Sequence, residues 1–396
     1  MKFDESTLYH IESGLSGERY SLYELATWKN GLAFKRIDFS GTGKPVIKIA
    51  ELNNGISSNT SYTSGDYGED VALHWDDLLF SWSGNPQTSI DVFRYRLKDG
   101  WLNQHIFKVT ANEKLVSKNF LYYVLKCLKP VFTEIATNKQ TTGLGHVTLA
   151  DLKRMSLIVP ERRVQDRIVS VLKSIDDKIE VNTEINKNLA DQIQAIYNNE
   201  FDPCTHTPSG VLADICSYSS DRIPVSRLSL STYFSTENMQ PNKMGYVDAT
   251  SLPSITQTTG CHKGDVLISN IRPYFKKIVY VTDDSCGCST DVLCFVPKED
   301  QYSAFLFGTL YMDRFFDYMI AGSKGTKMPR GDKQQIMNYP VVLPDKKSLD
   351  LFNGLIVPML DQIATNRAES NRLAALRDAL LPKLMSGELD VSELDL

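Results

Sequence analysis

Apolar positions in this chain follow two spacings. In the first third, the runs "KPVIKIAEL", "DDLLFSW", "IDVFRYRL" and "NQHIFKVT" are short and rich in β-branched and aromatic residues, which predicts strands. "KNFLYYVLKCLKPVF" then predicts a helix and "RMSLIVP" a closing strand. The same order returns later. "GDVLISN", "KIVYVT" and "DVLCFVP" predict strands, "AFLFGTLYMDRFFDYMI" a helix and "NYPVVLP" a closing strand.

After each closing strand the spacing changes to steps of four and three. From Val164 to about Glu200 the selected positions are Ile168, Leu172, Ile175, Ile179, Asn182, Asn186, Leu189, Ile193 and Ile196. Near the C-terminus they are Phe352, Ile356, Met359, Ile363, Asn366, Ser370, Leu373, Arg377 and Leu380. Both read as coiled-coil seams with a polar layer in the middle. A helix over Val164–Glu200 is roughly 55 Å long at about 1.5 Å per residue, too long to hide against one small globule. The pattern therefore predicts that the two helices pair antiparallel, with Asn182 and Asn366 meeting near the midpoint and fixing the register. The alternative is that each helix packs on its own globule and leaves its asparagine in water.

The two seams are copies at one offset, 366 − 182 = 184, ungapped from about Leu152/Ile336 to Tyr197/Leu381. Pro160 falls on Pro344, Asp177 on Asp361, Asn182 on Asn366 and Leu189 on Leu373. A single repeat this long means two whole modules in tandem, not a solenoid. The expected fold class is α+β: two α/β globules in pseudo-two-fold tandem repeat, joined by two long antiparallel coiled-coil helices. The expected boundaries are a first globule over 1–150, a central repeat with its long helix over 151–200, a second globule over 201–335, and a C-terminal repeat with its helix over 336–396.

Composition changes this picture little. No apolar run approaches a membrane span and the first ten residues hold no apolar stretch of signal-peptide kind, so a cytoplasmic protein without membrane contact is expected. Seven cysteines predict reduced thiols, not a disulfide framework. A net charge of −5 argues against a uniformly basic nucleic-acid binder but leaves room for basic patches.

Catalytic motifs are missing. There is no Asn-Pro-Pro-aromatic stretch, "SGTGKP" lacks the first glycine and the hydroxyl of a phosphate loop, and the D-x-K of "ADLKR" has no recognisable second acid. No catalytic residue is expected. Cys261, His262, Cys286 and Cys288, with Cys294 near, have a weak zinc spacing. A loose alignment of the halves puts Cys288 on Trp101 and Cys294 on Phe107, so these cysteines read as core residues and no metal is expected.

Loops combining glycine, hydroxyls and positive charge are the candidates for contacting DNA, because phosphates need cations and bases need forked donors. "RPYFKK" offers Arg272, Tyr274, Lys276 and Lys277, and "GSKGTKMPRGDK" offers Lys324, Thr326, Lys327 and Arg330. The matching place in the first half, "NKQTTGLGH", offers Lys139, Gln140, Thr141, Thr142 and His146.

The repeat "MSLIVPERRVQDRIVSVLKSIDDKIEVNTEINKNL", the ending "LRDALLPKLMSGEL" and the stretch "GDVLISNIRPYFKK" resemble the specificity subunits of type I restriction-modification enzymes. The second repeat, with "PDKKSLDLF", lacks the usual Gln of that family. The resemblance implies that the globules are target-recognition domains, each reading half of a bipartite site in double-stranded DNA, with the helices setting the spacer. It implies two methyltransferase (modification) subunits and restriction subunits as partners, with S-adenosylmethionine, ATP and Mg held by those partners and no cofactor in this chain. The competing expectation is a coiled-coil scaffold that binds protein partners without DNA.

Overall fold

The computed structural model describes residues 15–57, 59–140 and 143–391. These residues form two compact units, one reaching to residue 177 and taking in those from 374 on, and one of residues 178–373. Strands and helices are mixed in both.

In the first unit an antiparallel sheet runs in the order Ala26–Asn30, Ile106–Ala111, Leu78–Ser81, Asp91–Arg94. Beside it Gly100–Leu102 pairs parallel with Lys44–Ile47 and antiparallel with Ala72–Leu73. In the second unit the sheet order is Cys216–Tyr218, Val292–Pro297, Val266–Ser269, Ile278–Tyr280, again antiparallel. There Cys286–Cys288 pairs parallel with Tyr233–Phe234 and antiparallel with Gln257–Cys261. The two units thus share one topology, as their repeated strand pattern predicts.

Some elements are shorter than their apolar runs. "KPVIKIAEL" is a strand only over Lys44–Ile47 and turns into a helix at Ile49. The segment predicted as one helix is two, Lys118–Cys127 and Lys129–Asn138, divided just before Pro130, which belongs in a first helical turn. Its counterpart also splits, into Ser303–Tyr311 and Asp313–Ala321, with Met312 extended between them.

The long helices run over Arg162–Phe201 and Lys346–Met385, 40 residues each. Their ends belong to globular cores. Ile168, Val169 and Leu172 share the first core with Leu381, Leu384 and Met385. Ala190, Ile193, Tyr197 and Phe201 share the second with Leu349, Phe352, Ile356 and Leu360, and Met359 and Ile363 pack against it. Ile175 is buried, while Ile179, Leu189, Leu373 and Leu380 are half-buried. The seam is therefore a coiled coil only in its middle. There Lys178 pairs with Glu369 at 3.3 Å, Asn182 reaches Asn366, and Asn186 donates to the carbonyl of Ile363 at 3.3 Å. Partner numbers fall as helix numbers rise, so the helices are antiparallel.

Candidate nucleic-acid interface

The strand Val266–Ser269 ends in a tight loop. Arg272 and Lys276 both adopt left-handed backbone, with φ of 52° and 49°, around the single turn Pro273–Phe275. This geometry brings together the two basic stretches of the second globule. Ile271 bridges to Arg330, Arg272 N donates to Pro329 O at 2.8 Å, and Gly331 N donates to Asn270 O at 3.4 Å.

Side chains at this junction divide into two groups. Lys324, Thr326, Lys327 and Arg330 are exposed, as are Tyr274 and Met328. Lys324 meets Asp332 at 2.6 Å and Arg330 meets Asp291 at 2.8 Å, weak surface pairs that a phosphate or base can displace. Lys276 and Lys277 instead serve the globule. Lys276 shares Asp313 with Lys243, at 2.8 and 2.9 Å, and Lys277 donates to Thr236 O at 2.5 Å. Burial lowers the Lys277 pKa against the pull of Glu237. Arg272 keeps its Nε buried without a partner.

The first globule builds the corresponding junction. His74 N donates to Asp77 at 2.9 Å and His262 N donates to Asp265 at 2.8 Å, so the two strands start from matching turns. Beyond Leu78–Ser81, His146 pairs in register with Ser83 and its Nδ1 lies 2.8 Å from Ser83 Oγ. His146 therefore holds the place that Arg330 holds in the second globule. Trp82 lies against both His146 and His105, at 5.9 and 5.2 Å between ring centres. Burial, with a contribution from His146, lowers the His105 pKa. Gln140 is exposed, whereas Lys139 is bound to Asp151. Thr141 and Thr142 lie outside the described residues. Trp82 and His105 were missed from sequence because "DDLLFSW" and "NQHIFKVT" read as core strands, with nothing to mark where each strand ends.

The strand ladders correct the alignment of the cysteines by one residue. Val109 faces Leu78 as Phe295 faces Val266, and Trp101 faces Ala72 as Gly287 faces Gly260. Cys294 therefore matches Lys108 and Cys288 matches Leu102, and a slip of one position exchanges the faces of a strand. Lys108 pairs with Asp77 at 3.1 Å, while Cys294 approaches the matching Asp265 at 3.5 Å. All four cysteines of this group are free and buried, with Cys261, Cys286, Cys288 and Cys294 in one core cluster. Among the described residues no three His, Cys, Asp or Glu are placed to hold a metal ion, and no helix is long and apolar enough to cross a membrane.

Residues 17–191 match the family model of the type I restriction modification DNA specificity domain. The chain is 21% identical over 390 residues to the type I restriction enzyme HindI specificity subunit of Haemophilus influenzae, covering 75% of this chain and 84% of that one. A stretch of 76 residues is 39% identical to the type I restriction enzyme MjaIX specificity subunit of Methanocaldococcus jannaschii, covering 19% of this chain and 18% of that one. Among solved structures, the S subunit of the type I restriction-modification system from M. genitalium has the same fold, with a TM-score of 0.51 at 15% identity, covering 97% of this chain and 98% of that one.

Proposed function

We propose that the chain, which is similar to the specificity subunits of type I restriction-modification systems, is the DNA sequence-recognition subunit of such a system and reads one half of a bipartite target with each globule. The observation that carries this reading is the repeated junction: an antiparallel bridge at the matching place in both globules, presenting His146 with Trp82 in the first and Arg330 with Lys327 in the second. Matching frames with different side chains are what two different half-sites require. Arginine can fork onto guanine O6 and N7, whereas a histidine beside a hydroxyl offers one donor or acceptor.

Lysines near the exposed loop hold the backbone by charge. The long helices set the spacer, and methyltransferase subunits dock on the repeats. Restriction subunits complete the nuclease. In this reading catalysis, S-adenosylmethionine, ATP and Mg belong to the partners, and the complex works in the cytoplasm. No observation favours a protein scaffold without DNA.

The test is methylome sequencing of cells that carry this subunit with its methyltransferase partner. A two-part adenine-methylated motif with a fixed spacer, absent when this chain is deleted, is the expected result. An unchanged methylome would refute the reading.

A further inference from the structure

We propose that the two halves of this chain are obligate, unlike partners: each long helix ends in residues shaped to complete the globule of the other half, and neither half can complete a second copy of itself. The first evidence is a pair of fitted contacts. In the second globule Tyr197, from the first long helix, enters the core beside Gly308. A Cβ on Gly308 would lie 2.7 Å from Tyr197 Cδ2, so the missing side chain is what admits the ring. Tyr197 Oη then pairs with Thr309 Oγ1 at 2.9 Å.

The residue matching Tyr197 in the second long helix is Leu381, buried in the first core. Setting "FLYYVL" of helix Lys118–Cys127 over "FLFGTL" of helix Ser303–Tyr311 puts Tyr123 at the place of Gly308, and Tyr123 is buried in the same core as Leu381. The larger ring of Tyr197 thus goes with a glycine in its core, and the smaller Leu381 with a tyrosine in its own. Were the helices exchanged, Tyr197 would crowd Tyr123, and Leu381 would leave the space beside Gly308 empty.

Charge points the same way. Asp176 of the first helix accepts from Arg377 of the second at 2.9 Å and from Tyr123 Oη at 2.7 Å. In the second unit the positions matching Arg377 and Asp176 are Ile193 and Leu360, both buried and apolar. Two first helices paired in this register would set Asp176 against Ile193 twice, and two second helices would set Arg377 against Leu360 twice. The pair Lys178–Glu369 has Ile185 and Gln362 as its counterparts, so it too is lost in a like pairing. A charge left against an apolar surface costs far more than the pair contributes. On the reading proposed above, like halves would recognise a symmetric target, and unlike pairing keeps the target asymmetric.

The experiment begins with the folded full chain carrying a protease site in the exposed connector 204–209. After cleavage it is equilibrated with a cleaved copy whose first half carries a mass tag, and the species are counted by native mass spectrometry. Pairs of one first half with one second half should exceed like pairs by at least about a hundredfold. Like pairs at comparable abundance, or halves found only as monomers, would overturn the proposal. In the uncleaved chain Gly308→Tyr should lower Tm and adding Tyr197→Leu should restore most of the loss. A loss that Tyr197→Leu leaves unchanged would also count against it.

Discussion

Asn182 donates its side-chain amide to the backbone carbonyl of Asn366 at 3.3 Å, and Asn366 returns a bond to Asn186 Oδ1 at 2.9 Å. Asn182 also reaches Ser370 Oγ at 3.3 Å, the same contact seen from the other helix, because Ser370 is the repeat counterpart of Asn186. The polar layer is thus nearly self-complementary about its own centre. Replacing one member, Asn366→Leu, removes its bond to the half-buried Asn186 Oδ1 and the one it accepts from Gln362 Nε2, while Asn182 keeps the backbone carbonyl, and should cost about 1–3 kcal/mol in urea unfolding. The double change Asn182→Leu with Asn366→Leu should recover part of that loss, because an apolar layer packs well but no longer selects a register. Wild-type stability in the single variant would contradict the account.

The sequence made this layer legible because 3.6-residue periodicity and a constant offset both survive in side-chain identity. Other features were hidden for physical reasons. Whether Ile168 and Ile193 meet a helix or a globule is decided by what lies beyond the helix, and apolar spacing is the same in both cases. Lys139, Lys276 and Lys277 look like free loop cations until Asp151, Asp313 and Thr236 are seen beside them. Arg330 and His146 could be matched only after the strand bridges to Ile271 and Ser83 were known.

Lys139 is expected to support the fold. Its Nζ lies 2.5 and 2.6 Å from the two oxygens of buried Asp151. Burial alone would raise the Asp151 pKa, but the bonds from Lys139 and Thr148 outweigh it and hold it below the ordinary value. Stability from that shift is present above the ordinary carboxylate range and lost as pH falls through it. Lys139→Ala should cost about 1–3 kcal/mol at neutral pH, allowing for the partial exposure of the lysine, and less near pH 3. Loss of DNA binding with stability intact would instead make Lys139 a DNA contact.

Asp265 behaves in the opposite sense. Burial raises its pKa despite bonds from His262 N and Cys294. The penalty is absent below the ordinary carboxyl pKa of about 4 and grows as pH rises from there toward the folded value. Asp265→Asn keeps an acceptor for His262 N, so its stability relative to wild type should rise across that interval and then level off. A difference independent of pH in a urea series would show that the carboxyl is not penalised by burial.

On the proposed DNA face, Lys327→Ala should weaken binding to all sequences alike and reduce the salt slope by about 0.9. Arg330→Ala should cost about 1–3 kcal/mol on the cognate duplex and relax preference at one position of one half-site. His146→Ala should relax a position in the other half-site. Fluorescence anisotropy at several salt concentrations on cognate and singly substituted duplexes, with the methyltransferase subunits present, separates these outcomes. Wild-type affinity and salt dependence in all three variants would place the DNA face elsewhere.

The central claim is that the two globules read independently in a frame fixed by the helices. Its most direct test is to replace residues 17–150 with the same segment of a relative of different specificity and sequence the methylome. One half of the methylated motif should change while the other half and the spacer stay as they were. A change in both halves would contradict the account.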